Sequence, residues 1–163
     1  MPYTSLFSKF PDIAERETRT VTLTKARHSL PANVYAFVEL YCDERGCDCR
    51  RVFFNVVSRS SNEALAVIAY GWESRDYYIK WMGDDDNLTI DSMMGPTLNM
   101  ASQQTALAMP LLSLFREVLL PDSRYMERIK RHYDMFREKV EHNAIRPAKS
   151  IMGSSRSRSR RLS

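Results

Sequence analysis

The fold of this chain turns on residues 33–57, "NVYAFVELYCDERGCDCRRVFFNVV". Two runs rich in Val, Tyr and Phe flank a short polar stretch containing Gly46, the pattern of two strands joined by a turn. A four-residue loop at 43–46 pairs Cys42 with Cys47, then Leu40 with Cys49, Val38 with Arg51 and Ala36 with Phe53. Side chains alternate along a strand, so Cys42, Cys47 and Cys49 emerge on one face of this hairpin. Its other face pairs Glu39 with Arg50, an opposite-charge match, and sets Phe37 beside Val52 and Tyr35 beside Phe54. A slip of one residue would exchange the faces.

Outward from the hairpin the alternation continues. "TRTVTLTK" (18–25) reads as a strand, and "ALAVIAYGW" with "DYYIKW" reads as a second hairpin across "GWESRD". Residues 82–100 read as a long loop with a short strand at Leu88–Ile90. "SQQTALAMPLLSLFREVLL" is helical, with Pro110 starting, kinking or dividing it. Asp122 stands where an N-cap belongs. After it Tyr125, Ile129, His132, Phe136 and Val140 recur at helical spacing in one apolar stripe. Strands first and helices afterwards give an α+β fold: an antiparallel sheet of about five strands covered by two C-terminal helices. Residues 1–17 read as a lead-in segment, 18–146 as a single domain and 147–163 as a disordered tail without hydrophobic patterning.

The 163 residues are 44% hydrophobic and 27% charged, as in globular proteins, with a formal net charge of +4. The charge is unevenly placed. Lys149, Arg156, Arg158, Arg160 and Arg161 lie in 147–163 with no acid, and removing those five leaves the first 146 residues at −1. No apolar run approaches the ~20 residues of a membrane span, and the first residues lack the pattern of a secretory signal. Three clustered cysteines without export point to a reducing, cytoplasmic setting in which thiols bind metal or react.

Zinc suits such a cluster. Thiolate is a preferred ligand, and structural sites take four ligands, three cysteines with one histidine being an accepted set. His132, on the helix stripe that faces the sheet, is the expected fourth ligand beside Cys42, Cys47 and Cys49. His28 is its competitor and His142 a weaker one; small buried thiols closing a hairpin are the plain alternative. The function expected is a non-catalytic cytoplasmic domain with a structural zinc site, acting on a protein partner and not on a membrane. A second reading is nucleic-acid association, with Arg156, Arg158, Arg160 and Arg161 supplying charge and Tyr70, Trp72, Tyr77, Tyr78 and Trp81 a stacking platform. A third is thiol redox chemistry, with Arg45, Arg50 and Arg51 lowering a thiol pKa. Phosphate-binding glycine loops, nucleophile elbows and H-E-x-x-H are absent. The acids of "GDDDN" (83–87) lack EF-hand spacing and read as a solvated turn.

The run "VELYCDERGCDCRRVFFNV", with "IAYGWES", "YYIKW" and "RYMERIKRHYDMF", resembles a family of uncharacterised prokaryotic proteins, some of which also carry a SEC-C zinc motif. The similarity covers roughly residues 34–140 and is most specific at Y-C-x4-C-D-C-R-R-V. It implies no activity. This chain has no SEC-C segment, and the shared R-H-Y favours His132 as the histidine that matters.

Overall fold

The computed structural model describes residues 3–143. Six strands form one antiparallel sheet: β1 (Tyr3–Ser5), β2 (Arg19–Leu23), β3 (Asn33–Cys42), β4 (Arg51–Ser58), β5 (Ser61–Gly71) and β6 (Thr97–Leu98). The order is β1-β3-β4-β5-β6, and β2 also pairs with β3. β1 takes Leu40–Cys42 and β2 takes Asn33–Phe37, so the two lie end to end along one edge of β3.

Alternation in the strands sorts the two faces. Tyr35, Phe37, Glu39 and Tyr41 of β3, Val52, Phe54 and Val56 of β4, and Ala66 and Ile68 of β5 are buried. They meet α5 (Ala108–Leu114), a π-helical turn (Phe115–Leu119) and α6 (Ser123–Asn143), the covering expected from the C-terminal sequence. Phe115 is the centre of this layer, 5.0 Å from Phe54 and 6.1 Å from Phe37 between ring centroids. Pro110 is in the first turn of α5, where its missing N–H costs no helical bond. Asp122 accepts from the Tyr125 N–H (3.1 Å) and so caps α6, and the stripe Tyr125, Ile129, His132, Phe136 and Val140 is buried.

Four expectations change. Residues 3–17, read as a lead-in, are built into the fold: β1 joins the sheet, and Leu6 of α1 (Leu6–Lys9) and Ala14 of α2 (Pro11–Glu17) are in the core. "DYYIKW" is not a strand but most of α3 (Arg75–Met82). Ser74 caps that helix through the Tyr77 N–H, and Gly83 closes it in the left-handed region at φ 69°. These two caps outweigh the strand preference of Tyr-Tyr-Ile. Leu88–Ile90 lies in α4 (Asn87–Met94), capped by Asp86 of the acidic turn. The 33–57 hairpin pairs Leu40 with Phe53, Glu39 with Phe54 and Phe37 with Val56, four residues out of the expected register. The slip is even, so the residues that stay in β3 and β4 keep their faces, while Cys47, Cys49 and Arg50, expected in the strand opposite Cys42, Leu40 and Glu39, lie in the connection instead. The cost of the slip is an eight-residue connection, 43–50, in place of a four-residue one.

Candidate metal centre

That connection carries the site. Its tip is a turn in which the Cys47 N–H donates to the Glu44 carbonyl (3.4 Å), with Gly46 at φ 70°. The turn forms where the sequence placed it, but the strands do not zip beside it because other elements take the loop's polar groups. Tyr133 of α6 accepts from the Arg50 N–H at 3.1 Å, and Arg137 donates to the Cys42 carbonyl at 2.9 Å. Glu141 accepts from the Gly46 N–H at 2.8 Å. From α3, Tyr78 donates to the Arg50 carbonyl (2.9 Å) and Tyr77 to the Asp48 carbonyl. Arg50, held at φ 47°, grips Asp48 through Nε and Nη2 (3.0 and 2.9 Å) and reaches Glu73 through Nη1 (3.1 Å). Gly71 admits this packing: a Cβ there would stand 2.3 Å from the Tyr78 hydroxyl.

The loop held this way gathers all three thiols. The sulfurs of Cys42, Cys47 and Cys49 lie within 4.8 Å of one another. Cys42 and Cys49 are buried and Cys47 half-buried, and none forms a disulfide. The backbone N–H two residues on acts to lower each thiol pKa: Glu44 for Cys42, Cys49 for Cys47 and Arg51 for Cys49. Fixed N–H dipoles aimed at sulfur favour the thiolate. Burial works against it and prevails, raising all three pKa values; mutual repulsion among the cysteines adds to the rise. The metal-free cluster is therefore protonated at neutral pH. That is the reverse of the lowered pKa a redox thiolate needs, and Arg50 and Arg51 do not supply it. Three soft donors this close can bind a metal ion. The sulfur–sulfur separation of a tetrahedral thiolate site, about 3.8 Å, lies inside that 4.8 Å limit.

His132 does not join them. Cys42 is paired with Tyr3 and shares the sheet face of Leu40, whereas His132 meets Glu39 on the opposite face. Both ring nitrogens are engaged there: Nδ1 is 2.6 Å from Glu39 Oε2 and Nε2 is 2.7 Å from Glu17 Oε2. The Tyr41 hydroxyl donates to the same Glu39 oxygen at 2.7 Å. His132 is thus a fully buried link between α2, β3 and α6. One signal for it was legible: Glu39 is a charged residue at a core-facing position of β3, and such a group requires a partner. His28 is exposed beside Glu117 (3.4 Å), and His142 donates to the Glu138 carbonyl (2.9 Å). Among the described residues no histidine or carboxylate joins the three thiols. Residues 144–163 contain no Cys, His, Asp or Glu.

The aromatic residues do not form a stacking platform. Tyr78 is buried, Tyr77 and Trp81 lie on α3, Trp72 packs edge-on against Tyr133 (5.1 Å) and Tyr70 against Phe115 (6.1 Å). Arg156, Arg158, Arg160 and Arg161 lie outside the described residues. Among the described residues no helix is long and apolar enough to cross a membrane. No protein-family model matches the chain, no curated protein matches it, and no solved structure matches it.

Proposed function

We propose that the protein is a metal-binding α+β domain in which zinc, held by Cys42, Cys47 and Cys49, fixes the 43–50 loop against β1, α3 and α6. The observation that carries this reading is the convergence of the three sulfurs within 4.8 Å of one another. The fourth coordination position falls to a ligand other than His132. The role in this reading is binding rather than catalysis: no histidine or carboxylate joins the thiols among the described residues, and the Tyr3 hydroxyl, 3.9 Å from Cys49 Sγ, is kept protonated by burial. A reducing compartment such as the cytoplasm suits the site, since the thiols must stay unoxidised to hold metal. The proposed kinship with the uncharacterised Y-C-x4-C-D-C-R-R-V family rests on this same segment, Tyr41–Val52.

The test is metal analysis of protein purified under reducing, zinc-replete conditions, together with cobalt substitution. One zinc per chain and a sulfur-to-cobalt charge-transfer band are expected, both lost when Cys42, Cys47 or Cys49 is replaced by serine. Substoichiometric zinc without the cobalt band would overturn the reading.

A further inference from the structure

The face of the sheet opposite α5 and α6 carries a second feature. Leu40, Phe53 and Val67 form the floor of a cleft of about 810 Å³, walled on one side by Leu98 and the chain around it. That size is within the range of small-molecule sites. Arg51, the one charged residue lining the cleft, is 5% exposed and has no carboxylate partner among the described residues. Charged groups this deeply buried are ordinarily paired.

The geometry of Arg51 indicates what would pair it. Its guanidinium lies over the Phe53 ring, 5.1 Å from the centroid. Nε donates to the Met93 carbonyl at 3.0 Å and Nη2 to the Ser92 carbonyl at 3.3 Å, which occupies one edge of the fork. Nη1 and the outer N–H of Nη2 have no acceptor among the described residues. Two parallel donors on a fixed plane match the two oxygens of a carboxylate. Four residues along β4, about 13 Å away at strand spacing, Asn55 also lines the cleft. Its side-chain oxygen is buried without a hydrogen-bond partner. Between the two polar ends the floor is apolar.

We propose that this cleft binds a small monocarboxylate with an extended apolar body, its carboxylate on the free edge of Arg51 and its far end towards Asn55. A single uncompensated guanidinium neutralises one negative charge, which favours a carboxylate over a phosphate monoester dianion. Nothing in this assignment depends on metal at the thiols.

The full chain can be titrated with octanoate, octan-1-ol and octyl phosphate while amide resonances are followed by NMR. Octanoate should saturate shifts at Asn55, Val67 and Leu98, with octan-1-ol weaker by about tenfold or more, the value of one charged hydrogen bond. Arg51→Lys, which keeps the charge but not the fork, should weaken octanoate about tenfold and leave octan-1-ol unchanged. Val67→Trp, which fills the floor without touching Arg51, should abolish octanoate binding in a folded protein, and it serves as the test if Arg51→Lys does not fold. Equal affinity for acid and alcohol, tighter octyl phosphate, shifts outside the cleft, no binding at all, or undiminished binding to Val67→Trp would each overturn the proposal.

Discussion

Replacing His132 with alanine should destabilise the protein by about 3–5 kcal/mol and leave the proposed zinc binding unchanged. The ring is fully buried and bridges Glu39 Oε2 at 2.6 Å and Glu17 Oε2 at 2.7 Å. Hydrogen bonds to charged groups contribute about 1.5–3 kcal/mol each, and removing one member of a buried pair costs about 3–5 kcal/mol because the other is stranded. Glu39, 2% exposed, would be the stranded group, with Oε1 already unpartnered and Oε2 left to Tyr41 alone. With a urea m-value of about 2 kcal/mol per molar, the unfolding midpoint should fall by about 2 M. Adding Glu39→Gln to His132→Ala should recover about 1–2 kcal/mol, since a neutral amide is less costly to bury. Zinc stoichiometry should stay unchanged in both variants. A loss below about 1 kcal/mol would refute the buried-link argument. Loss of zinc with the thiols intact would return the ring to the metal shell.

The same link gives a pH signature. Burial disfavours the His132 cation, but hydrogen bonding and charge from Glu39, and then from Glu17, outweigh it, so the pKa is raised overall. Its contribution is therefore complete below the ordinary histidine value of about 6.5 and declines as pH rises through the elevated folded value. Burial also pushes Glu17 upward, yet the His132 bond and the Arg131 charge outweigh it and the net shift is downward. That contribution is complete above the ordinary glutamate value of about 4.3 and is lost as pH falls through the depressed one. The stability difference between the native protein and His132→Ala should peak between these limits.

Further outcomes follow from the loop and its support. Zinc affinity should rise with pH by about tenfold per unit for each thiol that must lose its proton, measurable by chelator competition, because burial raises all three thiols. The metal-free protein should react slowly with iodoacetamide at neutral pH, and a fast cysteine would revive the redox reading. Gly71→Ala should destabilise by about 1–3 kcal/mol in urea unfolding. Its new Cβ would meet the Tyr78 hydroxyl at 2.3 Å and the Met93 carbonyl at 2.6 Å.

Read alone, the sequence determined whatever depends on local alternation and capping. The strands 33–42 and 51–58 follow from period-two patterning and the capped helix from Asp122 follows from its stripe, whereas the thiols come together as expected but through a loop held by distant residues and not through the expected pairing. The same local signals were present but outweighed in "DYYIKW", where Ser74 and Gly83 cap a helix over residues that favour strands. Only the tertiary structure decided the register. Hairpin pairing next to the turn competes with hydrogen bonds from Tyr78, Tyr133, Arg137 and Glu141, residues distant in sequence whose approach no local pattern encodes. It also decided the partner of His132. Burial on the helix stripe required that the ring be satisfied, but two faces of a sheet separate it from the thiols. Glu39 and Glu17, on the same side of that sheet, are the groups it reaches.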